Sequence, residues 1–186
     1  MTQHDKARMV VGLAALAVAA VGCQKVGGDA SDPAAIATAI KADEKAWSDE
    51  FQAKPRNMEA LVGHYADDAY FVAPGVKPAS GMTEIRRVYA EGLADPNFNI
   101  KFAADKVDVA QAGDMATSQG RFEQTYTDAE SKAAVKVGGS FLTVYKKQAD
   151  GSWKVVQDWA VADPGKPEPV EPGKPAQRAK MVSFSG

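Results

Sequence analysis

The chain has 186 residues with a formal net charge of −2, 45% of them hydrophobic and 25% charged. That is the composition of an ordinary globular domain, and without a basic block it offers nucleic acid no electrostatic footprint. One cysteine excludes an internal disulfide, and two histidines without a cysteine pair argue against zinc or another soft metal, so no cofactor is expected.

In chain order the first feature is an export signal. Lys6 and Arg8 precede a 14-residue apolar run, Met9 to Gly22, too short to span a bilayer and about right for a signal-peptide core. It ends in AVGC, small residues leading into Cys23. This resembles the lipobox of bacterial lipoproteins, with Ala20 where leucine is commonest. The resemblance implies removal of residues 1–22 and lipidation of Cys23. The acyl chains would then hold the protein at a membrane without a spanning helix. Gln24 in place of an aspartate implies sorting to the periplasmic face of the outer membrane. Residues 23–31 read as a lipidated tether.

Asp32 as N-cap and Pro33 in the first turn open a helix whose apolar stripe is Ile36, Ile40, Trp47 and Phe51. Asp43 and Glu44 fall within that stripe, so either one carboxylate leans inward or both hug the edge of the stripe in water, and Pro55 ends the helix. Asn57 caps a short second helix carrying Met58, Leu61, Val62 and Tyr65 inward. His64 beside it could be a base, or a surface or capping group. Asp67 and Asp68 follow, before a strand over Ala69–Val72. Adjacent carboxylates point in different directions, so these two are expected to shape a turn and not to act as a dyad.

A Pro- and Gly-rich loop over residues 73–81 leads into a third helix, Met82–Leu93. Beyond Asp95–Pro96 the apolar period changes from near 3.6 to 2. Strands are expected around Ile100–Val109, Met115–Tyr126, Val135–Lys147 and Trp153–Asp163. A bulge or bend is expected at Gly138–Gly139, and an Asp-Gly turn at Asp150–Gly151. Alternation puts Trp153, Val155, Gln157 and Trp159 on one face of the last strand and Val156, Asp158 and Ala160 on the other. The fold class is α+β: a strongly curved antiparallel sheet, cone-shaped, wrapped around three N-terminal helices. The domain is expected over residues 32–163, and residues 164–186, rich in Pro and Gly, as a disordered tail.

Four stretches carry a family resemblance: AW at Ala46–Trp47, LVGHYADDAYFVAPG, SGMTEIRRVY, and GGSFLTVYKKQADGSWKVVQDW. Together they resemble the SnoaL-like and ketosteroid-isomerase-like branch of the nuclear transport factor 2 superfamily, from about Asp32 to Asp163. That resemblance implies the cone fold with a cavity between sheet and helices, and often pairing into a homodimer through the open sheet face. It also identifies what is missing. Where steroid isomerases carry their general base this chain has Ala73, and their helix-borne tyrosine falls at or near Trp47. Their second oxyanion donor belongs on Phe141–Lys147, which has no carboxylate. Steroid isomerisation lacks its base and its oxyanion donors.

Candidate carboxylates for other acid–base chemistry are Glu44, Asp158 and Asp163. Trp159 and Asp163 resemble the W…D arrangement of polyketide cyclases. Asp158 could face the cavity or pair with Arg86, Arg87 or Arg121. Trp47, Phe71, Tyr89, Phe122 and Trp159 are candidate pocket walls, or else simply core. Two classes follow: a lipid-anchored domain binding a small apolar ligand or protein partner, or a cofactor-independent cyclase, dehydratase or hydrolase. A carboxylate with a raised pKa in an open cavity would favour the enzyme, and carboxylates neutralised by arginines would favour binding.

Overall fold

The computed structural model describes residues 32–170. The expected signal peptide, Cys23 and tether, and the tail beyond Val170, lie outside the described residues. Helix α1 spans Pro33–Glu50, with Asp32 accepting from the Ala34 amide at 3.0 Å as its N-cap. Its buried stripe is Ile36, Ile40, Glu44, Trp47 and Ser48, at the four- and three-residue spacings of one helix face. Asn57 caps the short α2, Met58–Val62, through the amides of Glu59 and Ala60. Helix α3 runs over Met82–Ala94 and buries Ile85 and Val88.

The strands are β1 (Tyr65–Val72), β2 (Ala79–Ser80), β3 (Asn99–Val109), β4 (Met115–Thr127), β5 (Ala134–Lys147), β6 (Trp153–Ala162) and β7 (Glu168–Pro169). They form one sheet in the order β2-β1-β6-β5-β4-β3, with β7 added on β5. The chain is α+β, a curved open sheet with the helices packed on its concave side. The sheet is mixed and not wholly antiparallel, because β1 lies parallel to β6. Returning from the helices, the chain adds β1 to the exposed edge of the long β3–β6 meander. Among the described residues, no helix is long and apolar enough to cross a membrane.

Two irregularities decide which side chains face inward. Phe102 and Val107 are five residues apart, an odd spacing that puts them on opposite faces of a regular strand. The register shift between Ala104 and Lys106 returns both to the core side. On β1, Tyr65 pairs with Val155 and Tyr70 with Gln157, so five residues match two. Asp67 and Asp68 lie exposed in this bulged stretch, inside a strand that starts four residues earlier than the sequence pattern suggested.

The bulge expected at Gly138–Gly139 is absent: both glycines continue regular ladders, and the shift in β5–β6 falls at Val144–Tyr145. What Gly139 provides is closeness, since a Cβ there would sit 2.2 Å from the Val161 carbonyl and 2.4 Å from the Phe122 ring. Past Asp163, the chain expected to be a tail stays on the domain through Val170, whose amide donates to the Ala134 carbonyl.

Candidate functional site

Between the concave face of the sheet and helices α1 and α3 lies a cavity of about 510 Å³, within the usual size range for small-ligand sites. Its walls come from opposite strategies of burial. Trp47 on α1, Phe51 at its C-cap and Tyr89 on α3 are turned to the sheet, whereas Phe71, Phe102, Phe122 and Phe141 occupy the inward positions of four strands. Phe98 and Tyr126 complete a lining of nine aromatic rings. The mouth is framed by the 73–76 loop and by Asp163, Gly165 and Pro167 beyond the last long strand.

Small residues make the space. Ala160 and Ala162 alternate with Asp158 on the inward face of β6 and line the cavity with it. A larger side chain at either alanine would occupy the volume. Asp158 therefore lies deep in the domain, away from bulk water, while keeping part of its surface open to the cavity. Its Oδ2 accepts from the Tyr65 hydroxyl at 2.6 Å, and Thr143 Oγ1 stands 3.3 Å from Oδ1. Tyr65 spends its one proton on Asp158, so the Tyr89 hydroxyl, 3.0 Å away, donates to Tyr65. The chain of donors Tyr89 and Tyr65 thus ends on the Asp158 carboxylate, which no cation among the described residues pairs. Burial pushes Asp158 up to about 6, against the opposing hydrogen bonds from Tyr65 and Thr143.

This geometry, a curved sheet over a largely apolar cavity with the half-buried Asp158 facing it, coincides with a family match. Residues 41–160 match the family described as SnoaL-like domain. The chain belongs to this family. Among curated proteins none matches it. Among solved structures, the ketosteroid isomerase-like protein from Erwinia carotovora atroseptica SCRI1043 is 23% identical, with a TM-score of 0.54 over 66% of this chain and 95% of that one. Hexachlorocyclohexane dehydrochlorinase LinA-type3 from Novosphingobium barchaimii LL02 is 13% identical, with a TM-score of 0.55 over 73% and 95%. A conserved protein from Planctomyces limnophilus DSM 3776 is 18% identical, with a TM-score of 0.53 over 68% and 96%. At these identities the likeness is one of fold.

The candidate carboxylates of the SnoaL-like domain separate into three environments. Asp158 faces the cavity and is paired with none of Arg86, Arg87 or Arg121. Glu44 is 1% exposed and sealed between α1 and the sheet, where Ser118 Oγ donates at 2.9 Å and the Tyr145 hydroxyl at 3.0 Å. Burial pushes it up to about 7; the two hydrogen bonds oppose this, and the negative charges of Asp158 and Asp43 add to it. It does not line the cavity. Asp163 sits at the mouth, held by both terminal nitrogens of Arg121 and lowered by them, as a solvated ion pair. A carboxylate so held has lost the tuning that acid–base work at neutral pH requires.

Trp47, Phe71, Tyr89 and Phe122 line the cavity. Trp159 does not: it follows Asp158 on a strand whose side chains alternate, so it points out through the convex face, 40% exposed and tilted against Tyr70 at 5.7 Å. The Trp47 indole donates to the Leu61 carbonyl at 3.0 Å and has no proton left for a ligand. His64 lies just past α2, stacked on Trp47 at 4.7 Å and clamped between Asp43 and Glu50, each at 3.2 Å. Burial opposes its charge, but the two carboxylates outweigh that and raise its pKa. It ties α1 to the start of β1 and lies outside the cavity. Tyr65 and Thr143, the partners of Asp158, were not legible as site residues. The available signal was the period-two run Phe141, Thr143, Tyr145, which shares a face with Asp158 once the β5–β6 register is known.

Proposed function

We propose that the SnoaL-like domain binds a small, largely apolar molecule in its cavity, with one polar group of that molecule hydrogen-bonded to Asp158. The observation that carries this reading is the setting of Asp158: a half-buried carboxylate without a cationic partner among the described residues, with Oδ1 only weakly engaged, in a cavity lined by nine aromatic rings. Aromatic walls supply affinity by burial, and a single polar group supplies orientation.

The lipobox-like sequence supports a setting for this binding. Cys23 carries the lipid, the protein sits on the periplasmic face of the outer membrane, and the nine residues 23–31 are the tether. A second copy of the chain is the partner this reading gives to the outer sheet face, which exposes Tyr70, Leu142, Trp159 and Val161 together.

A second reading is favoured by one specific feature. A carboxylate held at about 6, in reach of a bound molecule, is suited to take up and return a proton. Asp158 would then be the acid–base of a cofactor-independent reaction, with Tyr65 positioning it.

The test is saturable binding of a neutral aromatic probe, tert-butylbenzene, followed as a rise in the thermal midpoint of the full chain in detergent. Binding should disappear in Ala160→Phe, whose ring fills the cavity. A midpoint left unmoved both by this probe and by a cationic probe of the same shape would refute the reading. Membrane attachment is tested apart from this: Cys23→Ser should release the protein from the membrane fraction, and a variant that stays there refutes the anchor.

A further inference from the structure

The cavity has a sign. Four of its lining residues are carboxylates, Glu91, Asp95, Asp158 and Asp163, and among the described residues no lysine, arginine or histidine lines it. Two of the four are compensated from outside the lining: Glu91 pairs with Arg87 and Asp163 with Arg121. The other two have only neutral partners. Asp95, at the mouth, accepts from the Thr127 amide and hydroxyl and from the Asn97 amide. Asp158, at the floor, accepts from Tyr65 and Thr143.

The walls between mouth and floor are aromatic faces and edges, whose quadrupoles present negative charge to anything over the ring. An anion would meet carboxylates at both ends and no donor cation. A neutral molecule would gain burial but leave Asp158 uncompensated in a low-dielectric site. A positive charge on an apolar body gains from the rings, from Asp95 on the way in, and from Asp158 at the end.

We propose that the molecule this cavity selects is an apolar monocation, a protonated amine or quaternary ammonium on a hydrocarbon or aromatic body, with its charge at Asp158. The proposal rests on the binding reading above and narrows it to a ligand class. Oδ1 of Asp158, which has only the long Thr143 contact at 3.3 Å, is the oxygen left to receive an amine N–H. For a quaternary head the interaction is charge and cation–π alone.

Three probes of nearly one shape separate charge from burial: phenyltrimethylammonium, tert-butylbenzene and benzenesulfonate carry a positive, a neutral and a negative tetrahedral head on the same ring. Dissociation constants for the full chain in neutral detergent should place phenyltrimethylammonium about tenfold or more below tert-butylbenzene, with benzenesulfonate weakest. Asp158→Asn, which keeps an acceptor for Tyr65, should bring the cation-to-neutral ratio towards one. If tert-butylbenzene binds as tightly as the cation, the cavity reading survives and the charge preference is overturned. If neither binds, both fall. Should Asp158→Asn fail to fold, the ratio in the unaltered protein decides by itself, and rising salt should weaken only the cation.

Discussion

The Tyr65 hydroxyl lies 2.6 Å from Asp158 Oδ2, and the two residues come from strands β1 and β6 that run side by side in parallel. The bond therefore joins the strand that follows α2 to the last strand of the meander. Tyr65 also packs edge-on against Trp47, Phe71 and Tyr89, so the donor's direction is set by rings that line the cavity. Tyr65→Phe keeps those ring contacts and removes the donor. The expected result is an Asp158 carboxyl that titrates still higher than about 6. Unfolding free energy should fall by about 1–3 kcal/mol, the usual cost of losing a buried hydrogen bond to a charged group. Denaturant unfolding at pH 7 checks the second figure, and a fall below a few tenths of a kcal/mol would contradict it.

Stability should decline as pH rises from mildly acid to mildly alkaline. The signs agree for three groups. Glu44 titrates at about 7 against an ordinary 4.5, and Asp158 at about 6 against 3.8. The native state therefore binds more protons than the unfolded chain across that interval, and stability present below the ordinary values is lost as pH passes the raised ones. For Glu44 the shift is worth up to about 3 kcal/mol. His64, raised by Asp43 and Glu50, adds loss above its ordinary 6.5. Below about pH 4 the trend reverses, because Asp95 and Asp163 are lowered in the folded state, Asp95 by hydrogen bonds from Thr127 that outweigh its burial and Asp163 by Arg121. Thermal midpoints across pH 3–9 should peak near 4.5. Glu44→Gln should flatten the slope between about 4.5 and 7; a variant that kept the full slope would contradict the assignment.

Gly139→Ala should be among the most damaging single-methyl additions. Its Cβ would meet the Val161 backbone at 2.2 Å, and a backbone carbonyl inside a paired strand cannot swing away as a side-chain end can. A loss of about 3 kcal/mol or more is expected from such overpacking, read as failure to fold or a large fall in the denaturation midpoint. A variant as stable as the parent would show that the β5–β6 contact is looser than described.

Trp159 separates the two faces of the sheet. Trp159→Glu puts a charge beside Leu142, its direct cross-strand neighbour on β5, without touching the cavity. Binding of tert-butylbenzene should persist while any dimer dissociates, read by light scattering. A parent protein that is monomeric at all concentrations would remove the outer-face pairing from the account.

Much of this arrangement could be read from the amino acids, and the places where it could not are informative. The α1 stripe was legible because Ile36, Ile40, Glu44 and Trp47 share a helical period, which left open whether Glu44 or Asp43 turns inward or both stay at its edge. The choice between those two was decided by Ser118 and Tyr145, residues 74 and 101 positions away, which no local pattern reports. Alternation on β6 correctly set Asp158 opposite Trp159. Counting Trp159 as a cavity wall ignored that same alternation and followed only its size. The start of β1 and the fates of Asp67 and Asp68 were obscured because the pairing with β6 skips residues, and a bulge has no period. Gly138–Gly139 resembled a bend for the same reason that Gly permits close packing. A missing side chain in sequence is silent about which use is made of it.

Titration of the Asp158 carboxyl carbon by NMR, assigned with Asp158→Asn and repeated with a cavity probe bound, reads the environment of this group itself. The account predicts a midpoint near 6 in the free protein, displaced when the cavity is filled. A midpoint at or below the ordinary 3.8, unmoved by the probe, would mean that Asp158 is a solvated or ion-paired strand carboxylate, and that the cavity holds no site centred on it.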